Sequence, residues 1–475
     1  MSGWGAIYNN TTYAISQQSA LLAKLQEQAA SGLRVVRASD DPASAYRIMD
    51  LRSQSQSLDS YMSSIDTVSG GLDNAYTILQ QISADLGETK QSLTQMSTLT
   101  YSQAQRSIIS QQIDSLLKEC VSLANSKRLG QYVFGGNRVD AAPYAVQSSN
   151  GQIVDVTYRG GLTDLPVPVG PGLEYSQAVV GDEVFRSHQR SAPIFLGSTG
   201  AKAGSYTSTV RGDQWLAFRH TTTDVLTAGT GLAPGSGSPA GDTILGAHVL
   251  KLEADSGRIA LDDGPYVAFT AADTNLKLTN AAGDVVYVDM SGLDSGLSGN
   301  VTIDIRGNGE MSLDDWQTAT PISFTANDAA SGGAAGGILY VDTSGVRHAG
   351  LEPVRVPGTY DLFAALIQVR DLLQNTRQLP QGQQTDLLSQ AIASVEELTG
   401  NVMQTMTGLG ARTQAMDSLK KTLEDMKASA GTEIARFGDA DIAQVATELA
   451  RTQTFYQMTL QLASKLLSMS LLDYI

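Results

Sequence analysis

Residues 65–86, IDTVSGGLDNAYTILQQISADL, decide how the chain is read. Their apolar residues Ile65, Val68, Leu72, Ala75, Leu79, Ile82 and Leu86 are separated by alternating steps of three and four. A helix of 3.6 residues per turn gathers such positions into one narrow stripe, so the spacing predicts a long helix with a coiled-coil seam. Leu93 and Met96 rejoin the register, and Ile109, Ile113, Leu116, Cys120 and Leu123 continue it on a second helix after a break at 98–103. A narrow stripe needs a partner helix. Comparable stripes lie only near the other end: Leu388, Ile392, Val395, Val402, Met406 and Leu409, then Met416, Leu419, Leu423, Met426, Ala430 and Phe437. The last segment carries Ile442, Ala446, Leu449, Tyr456, Leu460, Ala463 and Leu467. The expectation is an α+β multidomain fold: a long coiled-coil body from paired N- and C-terminal segments, with the middle inserted as a β-rich outer domain.

Composition separates the same parts. Of 46 Gly, six lie in residues 1–129 and six in 360–475, and 11 of the 13 Pro lie between. Gly and Pro weaken helices and punctuate turns, so the middle should be β-rich. The middle also holds 13 Lys and Arg against 24 Asp and Glu, a net of −11 out of −16. Such acidity argues against nucleic-acid binding, which needs clustered cations. A single Cys excludes an internal disulfide framework. No run of 18 apolar residues suggests membrane insertion. The first residues, MSGWGAIYNN, lack the basic and apolar regions of a secretory signal.

Local signals set the boundaries. Asp41 suits an N-cap and Pro42 the first helical position, and Asp361 and Asp441 precede further helices. Strands are expected in short segments within Ile153–Val169 and at Gly204–Val210, Tyr266–Thr270, Asp284–Met290, Val301–Ile305 and Ile338–Asp342, arranged as a sandwich or barrel. Gly229–Gly241 and Ser331–Gly337 read as loops. The expected domains are a terminal helical assembly domain (1–35 with 440–475), a helical body with a β-hairpin (36–190 with 356–439) and the outer domain (191–355).

The search for chemistry finds little. No P-loop, dinucleotide fingerprint or nucleophile elbow is present, and no cofactor or metal is expected. His188, His220, His248 and His348 are scattered singly. Asp304, Asn308, Gly309 and Asp315 echo a calcium loop, but Arg306 would repel the ion, so the stretch reads as a turn. Cys120 reads as a small core residue on the seam. Trp215, Trp316, Tyr266 and Tyr287 are available as aromatic platforms should the middle domain bind glycans, or they are core.

Several segments carry a specific resemblance. Ser31-Gly32-Leu33-Arg34 running on to Asp40-Asp41-Pro42 resembles the N-terminal signature of bacterial flagellin-type axial proteins. The run from Gln131 through Phe134-Gly135-Gly136, then Tyr158-Arg159-Gly160 and Val180–Phe185, resembles the hook-associated protein 3 family within that group. Leu409–Arg412, Asp439–Ala443 and the ending Leu471–Ile475 are similar to the same family. The resemblance covers about residues 1–190 and 356–475. It implies a non-enzymatic structural subunit of the flagellum at the hook–filament junction, extracellular after type III export. It implies self-assembly through the terminal helices, with hook-associated protein 1 and flagellin as neighbours. An export chaperone would bind the C-terminal helix, so subunit or chaperone contact is expected at Ile442, Leu449, Tyr456, Leu460 and Leu467. Flagellin itself is the alternative reading. Residues 191–350 match no motif of the family.

Overall fold

The computed structural model describes residues 3–98, 101–332 and 336–472, with side chains described from residue 9 to 465 of these. Its helices are α1 (Gly3–Ser31), α2 (Pro42–Met96), α3 (Gln103–Ala124), α4 (Gly181–Phe185), α5 (Ser238–Gly241), α6 (Leu362–Gln374), α7 (Gln381–Gly438) and α8 (Ile442–Leu472). Two compact units divide the chain: residues 1–73, 165–177 and 410–475, and residues 74–164 and 178–409.

In the first unit α1 lies along α8, and the start of α2 runs beside the end of α7. Asp66 accepts from Lys420 at 2.7 Å and Asp59 from Lys427 at 2.6 Å, so moving seven residues forward on one helix moves seven back on the other. That is an antiparallel pair. Ile65, Val68 and Leu72 are buried as the stripe requires. On α7 the buried residues are Met416, Leu423 and Ala430, one per heptad, whereas Leu419 is half-buried and Met426 exposed. The expected two-position stripe is thus one position wide here. A hairpin of two strands (Pro166–Gly170 and Leu173–Ser176) leads to Gln177, whose carbonyl would lie 2.9 Å from a Cβ on Gly71.

In the second unit Ala75, Leu79, Ile82, Leu86 and Leu93 of α2 are all buried, as are Leu388, Val395, Val402 and Leu409 of α7. Lys90 meets Glu396 across them at 2.7 Å. Ser102 caps α3 in a reciprocal box with Gln105, and α3 packs on α6. The α3 stripe is rotated from the expected one. Ile109 and Leu123 are only half-buried, while Arg106, Leu117 and Ala124 are buried. Arg106 explains the rotation, because its guanidinium turns inward to Gln384 (2.6 Å) and Thr385 (3.0 Å) of α7. Cys120 is fully buried, with its thiol 3.6 Å from Asp85 Oδ2.

The strands, in chain order, are β1 (Lys127–Arg128), β2 (Gln131–Tyr132), β3 (Tyr144–Ser149), β4 (Gln152–Tyr158), β5 (Pro166–Gly170), β6 (Leu173–Ser176), β7 (Ile194–Phe195), β8 (Lys202–Ala203), β9 (Gly212–Val225) and β10 (Ala233–Pro234). They continue as β11 (Gly246–Glu253), β12 (Arg258–Leu261), β13 (Val267–Ala268), β14 (Leu276–Thr279), β15 (Val285–Asp289), β16 (Asn300–Ser312), β17 (Thr320–Pro321), β18 (Asp328–Gly332), β19 (Gly337–Asp342) and β20 (Gly350–Val356). An antiparallel sheet runs β13-β12-β11-β16-β9-β20-β7, with β17 also on β16, beside two three-stranded sheets, β10-β15-β14 and β18-β19-β8. Two separate apolar cores fill the region, one around Leu216 and Val341, the other around Leu250 and Val288.

Several strand expectations need correction. Gly204–Val210 is irregular, because Asn327 Oδ1 takes the backbone N–H groups of Ser205 and Tyr206 and bends the chain. Tyr266–Thr270 shortens to β13. Residues 304–309, read as a turn, lie inside β16, where a bulge falls between Asn308 and Gly309. Gly229–Gly241, read as a loop, contains β10 and α5 and buries Leu232 and Ser238. Of the loop 331–337, residues 333–335 lie outside the described residues.

Candidate functional site

The signature turn between α1 and α2 is built residue by residue from its sequence. Gly32 adopts a left-handed φ of +72°, which glycine tolerates, and its N–H closes α1 onto Gln28 O at 2.9 Å. Its carbonyl accepts from Ala440 N, and Leu33 bridges Asp439, so the turn is tied to the α7–α8 corner. Ser31 Oγ accepts from Leu33 N. Asp40 accepts from the N–H groups of Val36 and Arg37, and those bonds hold its carboxyl below the usual range. Asp41 caps α2: Ser44 donates its N–H and hydroxyl, and Pro42 takes the first helical position. These bonds from Ser44, then the Arg34 guanidinium, hold Asp41 at about 2. Arg34 also reaches Ser44 Oγ (2.9 Å) and Phe437 O (2.7 Å), joining the cap of α2 to the end of α7. Asp441 caps α8 by accepting from Ala443 and Gln444.

The terminal pair extends from this turn. Ala14, Ile15, Gln18, Leu22 and Leu25 of α1 are half-buried or buried, as are Val445, Leu449, Thr452, Tyr456, Thr459 and Ala463 of α8. The expected α8 stripe is in phase with this face at Leu449, Tyr456 and Ala463. Ile442, in the first turn, Ala446 and Leu460 are exposed, and the Leu467 side chain lies outside the described residues. Away from that face α8 exposes Phe455 (46%), Met458 (54%) and Leu462 (60%), Leu460 (42%) is exposed on the flank of the stripe beside Tyr456, and α1 exposes Tyr13 and Leu21. Sequence reading missed Phe455, Met458 and Leu462, because a heptad count follows one stripe and this helix has two apolar faces.

The second signature forms a tight aromatic knot in the other unit. Phe134 packs edge-on against Phe185 at 5.1 Å, and Tyr144 reaches Phe185 and Phe363. A Cβ on Gly135 would lie 2.6 Å from Arg138 O. One on Gly136, whose φ is +57°, would lie 2.3 Å from Gly161 O. Tyr158 donates its hydroxyl to Gly161 O at 2.8 Å, and Gly181 N donates to Phe134 O. Phe134, Gly135 and Gly136 therefore position a loop; they form no chemical centre.

Several polar groups of the sheet region are engaged with one another. His220 meets Thr223, which donates to Asp242. His248 pairs with Asp262 at 2.6 Å and directs its other nitrogen at the carbonyls of Leu245 and Arg347. Burial opposes charge on that ring, but Asp262 and the carbonyls outweigh it and raise its pKa. The faces of Trp215 and Trp316 carry Arg377 at 4.9 Å and Arg219 at 4.2 Å, and Tyr266 carries Arg258. Trp215, Asp213, Arg355 and Gln368 line a cleft of about 640 Å³. Among the described residues no group of three or more His, Cys, Asp or Glu could hold a metal ion, and no helix is long and apolar enough to cross a membrane.

Residues 5–138 match the model of the bacterial flagellin N-terminal helical region. Flagellar hook-associated protein 3 of Escherichia coli (strain K12) is 25% identical over 183 residues, 38% of this chain. The chain spans 55% of that relative's length. Among solved structures, flagellar hook-associated protein 3 of Legionella pneumophila is 15% identical, covering 82% of this chain and 98% of its own (TM-score 0.44). Xanthomonas campestris FlgL is 17% identical, covering 80% and 98% (TM-score 0.42). Over residues 5–138 the chain is thus similar to the bacterial flagellin N-terminal helical region, and over 183 residues it is similar to flagellar hook-associated protein 3.

Proposed function

We propose that this chain is a non-enzymatic structural subunit of the bacterial flagellum, exported and assembled at the hook–filament junction. The observation that carries the reading is the two-faced character of α8. One face is half-buried against α1, while Phe455, Met458, Leu460 and Leu462 stand in solvent. Covering the apolar area they still expose favours packing against neighbouring subunits by about 25 cal/mol per Å² buried. In this reading residues 1–35 with 440–475 form the assembling domain, 36–190 with 356–439 the body, and 191–355 the outer domain. Hook-associated protein 1 and flagellin lie on either side. Before assembly, the exposed face of α8 is where an export chaperone would dock, with Ile442 and Leu460 in its reach.

A deletion strain tests the proposal against the alternative that the chain is flagellin. Intact hooks with flagellin monomer released into the medium support the junction role. Filaments that start normally on hooks without this chain contradict it.

A further inference from the structure

The sheet region contains one motif twice. Thr199-Gly200 with Gly204, Phe324-Thr325-Ala326 with Asp328, and Tyr340-Val341-Asp342 with Ser344-Gly345 occur in that chain order. They recur, in the same order, as Thr230-Gly231 with Gly235, Phe269-Thr270-Ala271 with Asp273, and Tyr287-Val288-Asp289 with Ser291-Gly292. Matching letters take matching places. Lys202 pairs Asp342 and Ala203 pairs Val341 in one three-stranded sheet; Ala233 pairs Asp289 and Pro234 pairs Val288 in the other. Arg347 N donates to Thr199 O at 3.0 Å, and Asp294 N to Thr230 O at 2.9 Å. Gly204 N donates to Tyr340 O, and Gly235 N to Tyr287 O. A Cβ on Gly200 would lie 2.0 Å from Gly345 O, and one on Gly231 1.8 Å from Gly292 O.

The main sheet repeats as well. β20, β9, the end of β16 and β17 correspond to the start of β16, β11, β12 and β13. Phe218 opposite Met311 corresponds to Leu252 opposite Ile259, and Met311 opposite Thr320 to Ile259 opposite Val267. Each copy has its own core: Leu216, Phe218 and Met311 belong to one, Leu250, Leu252 and Ile259 to the other.

We propose that this region is a nested duplication, in which a second copy has been inserted into a hairpin turn of the first. In the inserted copy the corresponding turn is intact: Glu253 opposes Arg258 across Ala254-Asp255-Ser256-Gly257. The equivalent pair in the host copy is Arg219 opposite Glu310, and the β16 bulge at Asn308/Gly309 lies next to it, where the insert rejoins. Backbone pairing and a close apolar contact can accommodate such an insert because each copy closes its own core. The exception is Leu245, which reaches from the insert into the host core. The inserted copy is therefore a separately cooperative module, and the turn at Ala254–Gly257 is the place where the outer region accepts further chain.

The test is a spliced full chain in which residues 220–309 are replaced by Ala-Asp-Ser-Gly, joining Arg219 to Glu310 through the turn of the other copy. The expected result is retained hydrogen-exchange protection across β18, β19 and β20, with a lower melting temperature from the loss of Leu245. Should the spliced chain fail to fold, Val286→Asp in the otherwise unchanged protein decides the matter. Protection is expected to vanish in β14 and β15 while β19 and β20 keep theirs. Simultaneous loss in both copies overturns the proposal.

Discussion

Single residues in this chain act mainly through backbone geometry and buried polar pairs. Gly136 combines a left-handed φ with a carbonyl 2.3 Å from any added Cβ. Gly151, at φ +79°, has nothing within 4 Å of its added Cβ. Gly136→Ala should therefore cost about 2–4 kcal/mol, from backbone strain and overpacking together. Gly151→Ala should cost about 1–2 kcal/mol, from strain alone; denaturant melts of the two variants check the difference. His248 gives a pH dependence of definite sign. Its pKa is raised on folding, so its contribution is fully present below the unfolded value near 6.5 and is lost as pH rises through the folded value. Amide protection factors in β11 and β12, taken relative to the intrinsic base-catalysed rate, should fall as pH rises above about 6.5, and His248→Gln should flatten that fall. Asp41 and Pro42 could be read as a cap from their order alone. His248 could not, since its partners Asp262 and the Arg347 carbonyl converge only through sheet pairing.

Among elements, the seams divide by how many residues each heptad buries. Leu79 is fully buried in α2, whereas Met426 of α7 is 44% exposed despite standing in heptad register. Leu79→Ala should destabilise by about 2–5 kcal/mol, and Met426→Ala should stay within about 0.5 kcal/mol; thermal melts separate the two. The helices were legible because apolar period and helix period coincide over dozens of residues. β9 was not legible: Trp215-Leu216-Ala217-Phe218 is a continuous apolar run followed by Arg219, His220 and Thr221, with no clean alternation. Gly204–Val210 misled in the opposite sense, since its Tyr and Thr residues favour strands but Asn327 captures the backbone. The duplicated letters lay in plain view, yet one copy interrupts the other, so no fixed period announces the repeat.

For the whole molecule, the proposed assembly rests on apolar side chains that one chain alone leaves in water. The terminal helices pack on each other and bury or half-bury Leu25, Val445 and Leu449, and still expose apolar side chains away from that contact. The stripe read from sequence holds Leu449 and Leu460, which project about 20° apart around the helix, and leaves out Phe455, Met458 and Leu462 on the far side. Separating the two sets makes the assembly claim testable without unfolding the pair. The most direct measurement is incorporation of a Phe455→Asp, Leu462→Asp double variant into flagella of a strain lacking the native chain. The account predicts a monomer with unchanged circular dichroism that fails to enter the axial structure and leaves flagellin in the medium. Normal incorporation with normal filaments would contradict it.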